Sequence, residues 1–200
     1  MNYSIQKGAI SKYSDRGSSF FGFLYPVESV SDFKVKLKET RNNHLSATHV
    51  CSAYRLINSN ILEEKGSDDG EPRGSAGLPI LNELKRVDII NACVFVVRHY
   101  GGTKLGISGL IHAYSEATRI LLSDCKLLIW QPKKKYILNH SYQDIDSLDF
   151  FIKKYNANLK NRVFDLFVQS TVEINDDLAN DFKASVASKL STIDSFLELE

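Results

Sequence analysis

The sequence predicts an α+β protein of two domains, an N-terminal α/β domain over residues 1–132 and a small α+β domain over residues 133–200. Strand-like and helix-like segments alternate along the whole 200-residue chain. A polar break, Gln131-Pro132 followed by Lys133-Lys134-Lys135, interrupts that alternation and reads as a solvated linker. Beyond it the order is β-α-β-β-α in about 65 residues, as in a ferredoxin-like sandwich.

Each element has a local reason. Phe20 to Val27 is aromatic and β-branched and reads as a strand. Val30, Phe33 and Leu37 recur at helical spacing, with Ser29 or Ser31 as N-cap. Lys34, Lys38 and Arg41 share another face of that helix, either solvated or turned to phosphate. Thr48 to Ile57 alternates as a strand does, Asn58-Ser59-Asn60 reads as a turn, and Ile61 onward as a hairpin partner. Ser67 to Gly77 is a polar loop holding Gly70, Gly74 and Gly77. It feeds a helix carrying Leu81, Leu84 and Val87, with Pro79 in the first turn, where its missing N–H costs little. Asn91 to Val97 is a continuous apolar strand of the kind buried on both faces. The loop from Arg98 to Gly109 then opens an amphipathic helix with Ile107, Leu110, Ile111, Tyr114, Leu121 and Leu122 on one side. Leu127 to Trp130 is a further apolar strand. In the second domain we expect strand Tyr136 to Asn139, helix Ile145 to Tyr155, strands Arg162 to Val168 and Ser170 to Ile174, and helix Leu178 to Leu190.

Composition narrows the function classes. With 43% hydrophobic and 24% charged residues the chain is neither a disordered tail, a collagen-like fibre nor a disulfide scaffold. Apolar runs such as Ala92 to Val97 fall far short of the roughly 20 residues of a membrane span. Met1 to Ile10 lacks a basic segment followed by an apolar core, so the expected location is cytoplasmic, with no membrane partner. Residues 1–132 carry 16 Lys+Arg against 13 Asp+Glu, and residues 133–200 carry 9 against 11, which gives +3 and −2 and the overall +1. A protein held to nucleic acid by bulk attraction is plainly basic, so any such site here is a local patch. The three cysteines form no CxxC pair, which argues against a zinc ribbon or thioredoxin-type motif. Cys51 and Cys93, set in apolar stretches, read as buried thiols.

Two loops carry the chemistry-bearing residues. The first, Asp68-Asp69-Gly70-Glu71-Pro72-Arg73-Gly74-Ser75-Ala76-Gly77, puts three carboxylates beside an Arg and three glycines. Such oxygens suit Mg²⁺ or hydrogen-bond donors. The bland alternative is an acidic turn whose Asp side chains accept from backbone N–H groups, with Glu71 capping the next helix. The second loop, Arg98-His99-Tyr100-Gly101-Gly102-Thr103-Lys104-Leu105-Gly106-Ile107-Ser108-Gly109, runs from a strand into a helix. That layout can aim backbone N–H groups at an anion, with Arg98 and Lys104 adding charge. It matches neither a Walker A frame, a dinucleotide fingerprint nor a nucleophile elbow. Its bland alternative is a tight turn in which Gly101 and Gly102 meet a backbone need and Arg98 pairs with Asp68 or Asp69. His49 precedes Cys51 by two residues, which puts both on one side of a strand as a conceivable Cys–His pair.

Thr48-His49-x-Cys51-x-Ala53-Tyr54, the loop DDGEPRGSAG, the run VVRHYGGTKLG from Val96 to Gly106 and Gly109-Leu110-x-x-Ala113-Tyr114 stand together in one order and spacing. On these pieces the chain resembles the YigZ/IMPACT family, closely from about Gly17 to Leu122 and loosely over residues 136–200. The resemblance implies an N-terminal domain similar to ribosomal-protein and elongation factor G domain IV folds. It implies a ferredoxin-like domain similar to elongation factor G domain V after it. It further implies a translation-associated regulatory protein that binds RNA, the ribosome or a protein partner without catalysis. The binding face would hold His49, Asp68, Asp69, Glu71, Arg73, Arg98, Gly101, Gly102 and Lys104. The family more often carries a basic residue at the places of Ser19 and His112, so phosphate binding here would be weaker than in its relatives. The competing reading is an enzyme acting on a small phosphorylated or nucleotide substrate, with Mg²⁺ held by Asp68, Asp69 and Glu71; under the first reading no cofactor is needed.

Overall fold

A computed structural model describes residues 1–58, 61–190 and 196–199. The chain divides into two compact units, Met1–Trp130 and Gln131–Glu200. Ser59 and Asn60 of the expected turn lie outside the described residues.

The first unit is built on a five-stranded antiparallel sheet of β2 (Ala9–Asp15), β3 (Ser18–Pro26), β4 (His49–Asn58), β5 (Ile61–Ser67) and β6 (Ala92–His99), in the spatial order β2-β3-β6-β4-β5. The central strand β6 is buried on both faces, as its unbroken apolar run predicts. Alternation then sorts its neighbours. Phe21, Phe23 and Tyr25 of β3 and Cys93, Phe95 and Val97 of β6 meet Val30, Phe33 and Leu37 of α1 (Val30–Asn43) on one face. Phe20, Leu24, Cys51, Ala53, Val94 and Val96 face α2 (Gly77–Arg86) and α3 (Gly106–Ser123) on the other. The Ser29 hydroxyl caps α1 by accepting from Asp32 N at 3.1 Å.

Several boundaries differ from the sequence reading. β2 escapes it because Ala9–Asp15 places small and polar residues where core side chains are expected. The Leu127–Trp130 segment contributes only β7 (Leu128–Ile129), which pairs with the two-residue β1 (Tyr3–Ser4). The Lys133–Lys135 run is no linker. It opens β8 (Lys133–His140), where Lys133 pairs with Glu173 at 3.2 Å and Lys134 with Glu198 at 3.0 Å. Carboxylates across the sheet make a lysine run compatible with a strand.

The second unit continues with α4 (Ile145–Lys154), β9 (Asn158–Phe164), β10 (Val168–Asn175), α5 (Asp176–Lys189) and β11 (Phe196–Leu199). Its sheet order is β11-β8-β10-β9 with every neighbouring pair antiparallel, the split β-α-β arrangement of a ferredoxin-like domain. The closing strand β11 is absent from the sequence reading because its short Phe-Leu-Glu-Leu run carries little periodicity. Strand β9 begins at Asn158, four residues before the expected start, since Lys160 and Arg162 find carboxylates in Glu173 and Asp149.

Candidate functional site

Strand β4 begins, and β6 ends, at the same edge of the first sheet. Register places Phe20, Arg98 and His49 side by side across β3, β6 and β4. Period-2 alternation turns all three to the α2/α3 face. The 68–77 loop and the 98–105 loop close over this row. Tyr114, two turns into α3, enters from above.

Arg98 is the centre of the arrangement. Only 6% exposed, it donates from Nη1 to Glu71 Oε1 at 2.6 Å. Its guanidinium lies 5.7 Å from the Phe20 ring centre and 5.5 Å from that of Tyr100. The same Glu71 oxygen accepts from the Tyr114 hydroxyl at 2.9 Å, and His49 Nε2 stands 4.0 Å away. Two expectations are corrected here. Arg98 is withdrawn from solvent and pairs with Glu71, not with Asp68 or Asp69. Glu71 is 8% exposed and ties loop to sheet instead of capping a helix. The physical reason is solvation. A guanidinium on the core face of a strand needs a carboxylate there, and Glu71 is the one the loop delivers.

Asp68 matches the bland reading of its loop. Its carboxylate accepts from Gly74 N at 2.8 Å, Ala76 N at 3.0 Å and Gly77 N at 2.8 Å. Burial alone would raise its pKa, but these three donors and nearby Arg73 outweigh it and hold the carboxyl below its ordinary value. Asp69 adopts a left-handed φ of 45°, which directs its carboxylate back to Val50 N at 2.7 Å and to Arg41. One end of the α1 cationic stripe is therefore spent on the loop. The three carboxylates thus reach three different sets of donors.

His49 and Cys51 face the same side, as their spacing predicts, but they do not bond to each other. His49 Nδ1 lies 2.7 Å from the Asp69 carbonyl, so Nδ1 carries the proton and donates it. The Cys51 thiol lies 3.0 Å from the Asp68 carbonyl and 3.3 Å from the Tyr114 hydroxyl. Burial, ahead of the neighbouring carboxylates, pushes its pKa far up, the opposite of what a nucleophilic cysteine requires. The Tyr114 hydroxyl is raised too, first by burial and then by Cys51 and Glu71.

The glycine loop is exposed from Tyr100 to Lys104. Gly101 cannot carry a side chain, since a Cβ there would sit 1.9 Å from the Gly17 carbonyl carbon. Gly102 has a φ of +87°, open to glycine without strain. Ser18 Oγ accepts from Gly101 N at 3.2 Å, Thr48 Oγ1 from Tyr100 N at 3.1 Å, and Tyr100 donates its hydroxyl to Gly102 O at 2.6 Å. Arg73 and Lys104 are the two exposed cations on the two loops.

Tyr114 and Arg41 complete the site and were not singled out for it in the sequence. A tyrosine on an otherwise aliphatic helix face was the available signal for Tyr114, because a buried phenol requires a partner. Arg41 had only the α1 stripe to mark it.

Comparison with known proteins follows the same boundaries. The Impact N-terminal domain matches residues 16–122, which contain every residue of this site. The chain is 40% identical to the IMPACT family member YvyE of Bacillus subtilis over 100 residues, which is 50% of this chain and 46% of that protein. It is 28% identical to the IMPACT family member YigZ of Escherichia coli over 171 residues, 85% of this chain and 84% of that one. A crystal structure described as a hypothetical protein superposes with a TM-score of 0.72 at 25% identity, covering 99% of this chain and 97% of its own. The two-domain translational regulator Yih1 is 28% identical over 59% of this chain and 47% of its own length, with a TM-score of 0.41. Carrying the Impact N-terminal domain over more than half its length, the chain belongs to the YigZ/IMPACT family.

Proposed function

We propose that this protein is a non-enzymatic, translation-associated regulator that binds RNA, the ribosome or a protein partner through the exposed side of the 68–77 and 98–109 loops. One observation carries the reading. Asp68, Asp69 and Glu71 are spent on internal bonds and Arg98 is buried with its Nη1 on Glu71, which leaves Arg73 and Lys104 as the exposed charges of the two loops. The rigid tie beneath them holds both loops in one geometry, which lowers the ordering cost of binding. Family membership supports the association with translation, as does the description of Yih1 as a translational regulator. The split β-α-β topology of the second unit is in keeping with a likeness to elongation factor G domain V.

The Mg²⁺-assisted enzyme has less support. Its three carboxylates would have to give up backbone N–H groups, Arg41 and Arg98 to converge on a cation. The thiol nearest the site is held protonated.

Co-sedimentation with ribosomes over a salt series tests the proposal. Pelleting that falls steeply with salt is the expected result. An absence of pelleting at any salt removes the ribosome from the reading.

A further inference from the structure

Arg98 Nε has no acceptor among the described residues, although its residue is only 6% exposed. It is the one buried side-chain nitrogen or oxygen so placed among the described residues. The bond to Glu71 leaves from Nη1, so the edge formed by Nε and Nη2 makes no hydrogen bond among those residues. Buried polar groups are overwhelmingly paired, and this edge is the planar fork that takes two oxygens of one oxyanion.

Charge and surroundings decide which oxyanion. The loops and the α1 end bring together Arg41, Arg73, Arg98 and Lys104 against Asp68, Asp69 and Glu71, a surplus of one positive charge. A single carboxylate balances it; a phosphate chain asks for more. Two exposed aliphatic side chains stand on the helix that carries Tyr114. Ile107 and Ile111, 60% and 41% exposed, lie seven and three residues before Tyr114 on the same side of α3. The Tyr114 hydroxyl shares its Glu71 oxygen with Arg98. Aliphatic side chains offer nothing to a sugar-phosphate backbone and match apolar side chains of a protein.

We propose that the free edge of Arg98 receives a carboxylate from a protein partner, presented in a segment that mixes acidic and apolar side chains, with Ile107 and Ile111 taking the apolar ones. This rests on the binding role proposed above and names the chemistry of the partner. Nε is shielded, so a neighbour moves when the carboxylate arrives. Tyr100, 46% exposed, can swing aside by giving up its hydroxyl bond to Gly102 O, whereas Phe20 is fully buried. Lys104, exposed on the adjoining loop, draws the acidic segment in.

The test follows the Arg98 Nε–H signal of the full chain by ¹H–¹⁵N NMR, assigned by its disappearance in Arg98→Lys. The probes are a short Glu/Leu peptide, its Gln/Leu counterpart, oligouridylate and inorganic phosphate. The expected result is a saturable shift with the Glu/Leu peptide alone, weakened about tenfold in Ile111→Ser. A saturable shift with oligouridylate or phosphate instead overturns the proposal, as does no shift with any probe. Ribosome pelleting measured on the same preparation separates the two claims. If pelleting persists while the peptide fails, the carboxylate site falls and the binding role stands; if both fail, the carboxylate site falls and the ribosome leaves the reading as well.

Discussion

Arg98 and Glu71 form a buried ion pair at 2.6 Å that joins the C-terminal end of the central strand to the acidic loop. Their side chains are 7% and 3% exposed, so neither charge can fall back on water if the other is lost. Glu71→Ala and Arg98→Ala are each expected to cost about 3–5 kcal/mol, the range for breaking a buried pair from one side. Arg98→Met/Glu71→Leu removes both charges and is expected to lose much less than the sum. Urea midpoints of the three variants check this. Additive losses would show that the two residues act independently.

The glycine loop predicts an order of effects. Gly102→Ala meets nothing within 4 Å among the described residues and carries only the cost of its positive φ, about 1–2 kcal/mol. Gly101→Ala drives a Cβ into the backbone of Gly17 and is expected to cost more. Thermal unfolding of the two variants gives the comparison, and the reverse order would contradict the close approach of the two loops.

Acid sensitivity follows from Asp68. Its folded pKa lies below the unfolded value, so the folded state binds fewer protons. The stability it contributes is fully present above the unfolded pKa of about 4 and is lost as pH falls through the lower, folded one. Asp68→Asn is expected to be less stable at neutral pH and to lose less stability on acidification. Denaturation curves from neutral pH down to below pH 4 test the slope.

Thiol reactivity is expected to rank the cysteines. Burial raises the Cys93 pKa to about 12 and that of Cys51 further, while Cys125 is only partly buried. Alkylation of the folded protein should therefore modify Cys125 first. Rapid labelling of Cys51 in the folded state would contradict its place between Tyr114 and Asp68.

Much of this was legible in the sequence. The unbroken run Asn91 to Val97 identified the central strand, the Asp68 turn was readable from its residue types, and Gly101 and Gly102 followed from backbone need. The partner of Arg98 was not legible. Asp68, Asp69 and Glu71 are within four residues of one another, and only loop geometry decides which one reaches the strand. Strand alternation did put His49 and Cys51 on one side of a strand, yet the register that sets Arg98 beside His49, and the arrival of a carboxylate that lets Arg98 be buried, are tertiary facts. Lys133–Lys135 misled for the same reason, since Glu173 and Glu198 are remote in sequence.

Ribosome co-sedimentation of Arg73→Ala/Lys104→Ala beside Arg98→Met/Glu71→Leu tests the central claim, that the buried pair shapes the site while the exposed cations bind. The first variant is expected to keep wild-type stability and to lose salt-sensitive pelleting. The second variant, wherever it remains folded, is expected to keep the salt-sensitive pelleting that Arg73 and Lys104 supply and to lose only what the Arg98 edge adds. Full pelleting by the folded Arg73→Ala/Lys104→Ala variant would contradict the central claim.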